Sequence, residues 1–122
     1  MSIDGFKDLR VWQVGMDLVE QVYRVTQAFP AHEVYGLSNQ MRRASVSIPS
    51  SIAEGHTREY TKEYLYYLSV AQASLAEVQT QIEIAQRLHY VTQEQFQAVL
   101  TQSTSLAKQL YALRNALKKG GK

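Results

Sequence analysis

The sequence predicts an all-α fold, an antiparallel up-down-up-down four-helix bundle, and three observations carry the prediction. Apolar residues recur at steps of three and four along four long segments, the pattern of helices that each bury one stripe. The residues that break helices, two Pro and six Gly in 122, fall mostly between those segments. No segment shows the strict polar–apolar alternation of a half-buried strand. The length suits one domain, taken as residues 1–119 with a flexible tail at 120–122. A chain of this size buries roughly two thirds of its unfolded surface, enough for a single core.

The first helix is expected from about Lys7 to Phe29. Leu9, Trp12, Met16, Val19 and Tyr23 form one seam, and Val11, Leu18, Val22, Val25 and Phe29 form a second beside it. So wide an apolar arc exceeds what one neighbouring helix covers, which places the helix centrally or against another subunit. Pro30 marks the break, because it disfavours a helical Phe29 and suits the first turn of the next helix.

The second helix is expected over Ala31 to Gly55, with Gly55 as a left-handed terminating residue. Inside it lies Ser45-Val46-Ser47-Ile48-Pro49-Ser50-Ser51-Ile52. Pro49 has no N–H for the carbonyl of Ser45 and its ring crowds that turn, so the helix kinks or breaks there, with Ser45 and Ser47 as donors to freed carbonyls.

The third helix, Arg58 to His89, repeats Tyr64, Leu68, Ala71, Leu75, Val78, Ile82 and Ala85 without a miss. This spacing of about 3.5 residues favours knobs-into-holes packing at a shallow crossing angle. The fourth opens at Thr92, with Gln95 placed to complete a capping box, and continues through Phe96, Val99, Ser103, Leu106, Leu110, Leu113 and Leu117. Short connections between successive helices require antiparallel neighbours.

Composition narrows the function. With 45% hydrophobic and 20% charged residues, the chain falls outside the disordered and collagen-like classes. The absence of Cys removes disulfides, thiolate metal sites and thiol nucleophiles, and makes a reducing, cytoplasmic compartment the expectation. The charged first ten residues make a secretory leader unexpected, and no apolar run is long enough to span a bilayer.

Catalytic constellations are missing. His32, His56 and His89 sit at expected turns without the spacing of a zinc or di-iron helix pair, so no metal or cofactor is expected. No phosphate-binding Gly loop or nucleophile elbow is present. The nearest approach to a catalytic set, Arg43, Glu54 and Ser47, lacks an activating base, and the chain reads as a non-enzyme.

Charge is more informative. The formal net charge is only +2, yet no acid follows Glu94, whereas Lys108, Arg114, Lys118, Lys119 and Lys122 do. Cations at a helix C-terminus complement its macrodipole, and the same cations make an electrostatic footprint for a phosphate backbone. Arg42 and Arg43 offer the same choice: one paired with a carboxylate such as Glu54 or Glu77, or either one at a phosphate or subunit interface. Among Tyr60, Tyr64, Tyr66 and Tyr67, near Arg58 and Lys62, the first two are expected to pack and Tyr66 to be freer. The candidate partner-binding residues are therefore Arg42, Arg43, Arg114, Lys118 and Lys119.

The run from Pro30 to Gly55, containing Gly36-Leu37-Ser38-Asn39-Gln40-Met41-Arg42-Arg43-Ala44 and Pro49-Ser50-Ser51-Ile52-Ala53-Glu54-Gly55, resembles the signature of the four-helix-bundle proteins encoded in 23S ribosomal RNA intervening sequences. Phe6, Leu9 and Trp12, and Ser74-Leu75 with Glu77, extend the resemblance over nearly the whole chain. Where the family usually has Asn, position 51 is Ser, which loses the amide's two donors. The resemblance implies a noncatalytic homopentamer without cofactor, binding RNA or a ribonucleoprotein. It also implies a relationship to the accessory variability protein of diversity-generating retroelements, hence docking of a reverse transcriptase as the alternative. Five copies would raise the charge of one particle to about +10.

Overall fold

The computed structural model describes residues 5–120. A 3-10 turn at Gly5–Asp8 leads into α1 (Arg10–Thr26), and a second at Ala31–Glu33 precedes α2 (Leu37–His56). Then follow α3 (Thr61–Arg87) and α4 (Gln93–Lys119), and the described residues contain no strand. No helix among them is long and apolar enough to cross a membrane. Of the expected tail, Gly121 and Lys122 lie outside the described residues.

Each helix packs on the next and α4 closes on α1, whereas the diagonal pairs α1–α3 and α2–α4 bring no Cα atoms within 8 Å. Neighbouring helices meet in opposite senses along each pair. Thr26 meets Arg42 while Gly15 faces Ile48 and Pro49, and Ser47 meets Ser74 while Gly55 faces Tyr64 and Tyr67. Gln86 meets Gln93 while Gln72 meets Arg114. The helices therefore form an antiparallel square around one core.

That core is filled by Leu18 and Val22 of α1, Met41, Ile48 and Ile52 of α2, Leu68, Leu75, Val78 and Ile82 of α3, and Val99, Leu106 and Leu110 of α4, all fully buried. Burying each such side chain contributes about 1.5–3 kcal/mol before the entropic cost of ordering it. The repeats foreseen for α3 and α4 are the buried ones, except that Tyr64, Leu113 and Leu117 are only partly covered.

The first half of the chain departs further from expectation. α1 ends at Thr26, three residues short, where the Thr26 hydroxyl donates to Val22 O at 2.8 Å and tight bonds from Ala28 to Val25 and Phe29 to Thr26 close the turn. Residues 31–36 do not begin α2. A Glu33 oxygen accepts the Leu37 N–H at 3.0 Å and stands in for a capping side chain, and a Cβ on Gly36 would lie 2.7 Å from that same oxygen. Gly36 thus leaves room for that oxygen, which a Cβ would displace from the cap.

α2 then runs unbroken through Pro49. The buried proline ring packs beside Gly15 of α1, which offsets the hydrogen bond that Ser45 O forgoes. The serines do not serve the freed carbonyl: Ser45 donates to Arg42 O and Ser47 accepts from Ser74. Ser51 is buried on the inner face. Gly55 is helical, not a left-handed terminator, and its purpose is steric. A Cβ there would stand 2.8 Å from Tyr67 Cβ and 3.0 Å from Tyr64 Cδ1. The left-handed position falls instead on His89, at φ 63°, where Tyr90 N bonds Ala85 O and His89 N bonds Gln86 O in a Schellman arrangement. Thr92 and Gln95 complete the foreseen capping box.

Candidate functional site

The five cations singled out in the sequence go to different places. Arg42, half-buried, donates through Nε to the Thr26 hydroxyl at 2.7 Å and lies 4.8 Å over the Tyr23 ring, so it clamps α2 to α1. It pairs with no carboxylate; the one salt-bridge-distance contact among the described residues is His32 Nε2 with Glu33, at 3.6 Å. Arg114 bonds Gln72 across the α3–α4 seam, and its buried Nε has no partner. Gln72 stands on the side of α3 away from Glu77 and Gln81, so Arg114 and Arg43 are not brought together. Lys118 and Lys119 are exposed at the end of α4, with Lys108 higher on the same helix. These three lysines form no ion pair among the described residues.

Arg43 is exposed and lines a groove of about 360 Å³ between α2 and α3, together with Gln40, Ser47, Ser74, Glu77 and Gln81. Its floor is unusual for a surface groove. Ser74 is 6% exposed and donates to Ser47 at 2.9 Å, and Gln81 is 7% exposed with an Oε1 that has no hydrogen-bond partner. Arg43 and Glu77 face this groove without an ion-pair partner among the described residues. Glu54, grouped with Arg43 and Ser47 in the sequence, does not line it. A second groove of about 340 Å³ shares Gln40, Glu77 and Gln81 and continues past Ala73, Ala76, Thr80 and Ile84. The sequence pattern did not single out Gln40 or Gln81. The available signal was the step Ser74, Glu77, Gln81, a polar line at helical spacing against the core positions Val78 and Ile82.

Between α1 and α4 lies a longer groove of about 660 Å³, where Arg10 is offset by Asp17 and Glu94. At the end of the bundle that carries the α1–α2 and α3–α4 connections, Tyr90 donates to Glu33 at 2.8 Å and packs against Phe29 with ring centroids 5.4 Å apart and the planes tilted by 48°. The Leu37 N–H, then the Tyr90 hydroxyl, hold the Glu33 carboxyl below its ordinary range, and that carboxylate raises the Tyr90 phenol. At the opposite end Arg58 donates to the Tyr67 hydroxyl at 2.7 Å and covers its ring at 4.9 Å. Tyr60, expected to pack, is 64% exposed, while burial raises the Tyr64 phenol. Among the described residues no three His, Asp or Glu side chains converge on a common point that would hold a metal ion.

The sequence profile of the 23S rRNA-intervening sequence proteins matches residues 7–112. The chain belongs to that family. No curated protein matches it in sequence. Among solved structures, a protein of unknown function from the S23 ribosomal protein family of Bacteroides thetaiotaomicron superposes with a TM-score of 0.80, at 20% identity, over 85% of this chain and 97% of the other. At that identity the likeness speaks to the fold, a four-helix bundle shared between this intervening sequence protein and the Bacteroides chain.

Proposed function

We propose that the protein is a noncatalytic homo-oligomer, a pentamer by its family resemblance, that acts in the cytoplasm and binds RNA or a ribonucleoprotein through a basic surface at the end of α4. The observation that carries this reading is the exposure of Lys118 and Lys119, without ion pairs among the described residues, on a helix that has no acid after Glu94. Cations left free at one end attract phosphates and release the counterions condensed on them.

Assembly is supported by α1. Its Val11, Leu18, Val22, Val25 and Phe29 seam is buried, but Met16 and Tyr23 of the other seam remain 39% and 40% exposed, with Val46 of α2 at 40%. A helix whose second apolar seam is only partly covered in the monomer has surface for another subunit. Within this reading Arg42 and Arg114 are positioning residues engaged by Thr26 and Gln72, and Arg43 borders a groove of mixed charge. Lys118 and Lys119 make the phosphate contacts.

Light scattering and RNA binding across a salt series test it together. An oligomer should bind structured RNA with an affinity that falls as salt rises, and every phosphate that Lys118→Glu/Lys119→Glu no longer neutralises should flatten the log–log slope by about 0.7–0.9. An oligomer that binds nothing at low salt overturns the RNA reading and directs attention to a protein partner such as a reverse transcriptase.

A further inference from the structure

The α2–α3 groove has features that phosphate binding at the end of α4 does not use. It presents a guanidinium and a carboxylate that do not pair with one another, since Arg43 and Glu77 do not come within ion-pair distance. In the same groove the Gln81 side chain is more than nine-tenths buried and its Oε1 lacks a donor. A buried acceptor without a partner is costly, and a ligand N–H supplies what is missing. Ser74 and Ser47 share one hydrogen bond between their hydroxyls, so the pair keeps one proton for a further acceptor. The polar inventory thus holds two acceptors, Glu77 and Gln81 Oε1, beside two donors, Arg43 and the Ser47–Ser74 pair, with the exposed Gln40 amide able to act as either. A simple anion or cation satisfies one half and leaves the other half unmatched.

We propose that this groove binds a free apolar L-α-amino acid. The ligand carboxylate meets the Arg43 fork and the Ser47–Ser74 hydroxyl pair, and its ammonium group meets the Glu77 carboxylate, with Gln81 Oε1, enclosed in the free chain, reached when that amide turns toward the ligand. The side chain lies in the adjoining groove over Ala73, Ala76, Thr80 and Ile84, which continues directly from Glu77 and Gln81. Ile84 is 41% exposed in the free chain and is covered by such a side chain. The two grooves, about 360 and 340 Å³, are together of the size that small-molecule sites occupy, roughly 300–1,000 Å³. Recognition of both charged ends sets this class apart from amines, carboxylic acids and phosphates. The inference goes beyond the RNA reading and does not depend on it, and its test uses RNA-free protein.

The experiment is titration of the nuclease-treated, full-length protein with L-leucine, L-isoleucine, L-valine and L-methionine, followed by calorimetry and by amide NMR shifts. The expected result is saturable binding of at least one of the four with a dissociation constant near or below about 1 mM. Shifts should be confined to residues 40–47 and 73–84. N-acetyl-leucine and leucinamide should each bind about tenfold more weakly or worse, because each lacks one charge. Glu77→Gln should weaken L-leucine about tenfold while leaving N-acetyl-leucine unchanged, which a merely structural role for Glu77 would not produce. Gln81→Met, which removes the orphaned acceptor while keeping the volume, should keep the fold by circular dichroism and lose binding. No saturable response to any of the four, equal binding of the N-acetylated ligand, or full affinity in Glu77→Gln would each overturn the proposal.

Discussion

Two groups of charges near opposite ends of the bundle are used in opposite ways. At the end holding the α1–α2 and α3–α4 connections, Glu33 is occupied by the Leu37 N–H and the Tyr90 hydroxyl, and Arg42 nearby is taken up by Thr26 and Tyr23. At the other end α4 finishes with Lys118 and Lys119 exposed and free of ion pairs among the described residues. A charge that closes a turn or clamps two helices is not available to a partner, whereas a charge left free adds little to the fold and keeps its full reach into solvent. Adjacent basic residues in a sequence therefore carry different meanings: Arg42 is structure, Arg43 borders a groove, and the terminal lysines are surface.

Breaking this contrast starts with the largest effect, which is steric. Gly55→Val places a side chain against Tyr67 Cβ and Tyr64 where no space exists, and should cost about 3 kcal/mol in urea or thermal unfolding. Removing the clamp comes next. Arg42→Met deletes one hydrogen bond and one cation–π interaction and should cost about 1–2 kcal/mol without altering helix content by circular dichroism. In the opposite direction, His89→Gly relieves a side chain held at φ 63° and should stabilise by about 0.5–1 kcal/mol, read as a higher melting temperature. The smallest effect is confined to extremes of pH. Glu33 is depressed in the fold, so its contribution is present above the carboxylate range and is lost as pH falls below about 4. Tyr90 is raised, so its contribution is complete below about 10 and is lost as pH rises through the folded value. Tyr90→Phe should flatten both limbs of a stability–pH profile.

Much of the bundle was legible in the sequence because α3 and α4 are regular. The apolar steps of α3 run without a miss, those of α4 are interrupted only by Ser103, and Thr92 with Gln95 marks the start of α4, so periodicity located the seam and the capping residues its beginning. The chain between Phe29 and Leu37 was not legible, because its turn is held by a Glu33 carboxylate reaching four residues forward and by Tyr90, more than fifty residues away in sequence. Gly55 misled for a related reason. A glycine near a helix end reads as a terminator, and only the approach of α3 shows that it is there to admit Tyr64 and Tyr67. At the candidate site, the exposure of Lys118 and Lys119 followed from position, whereas the engagement of Arg42 by Thr26 and the orphaned Gln81 acceptor depend on packing between helices.

The most direct test of the contrast measures RNA affinity against salt for two variants side by side, Lys118→Glu/Lys119→Glu and Arg42→Met, with melting temperatures from the same preparations. The lysine pair is expected to lose slope and affinity while its melting temperature hardly moves, and Arg42→Met to lower the melting temperature while keeping the slope. An unchanged slope in the lysine pair, or a slope lost in Arg42→Met at constant stability, would contradict the division of roles between the two ends.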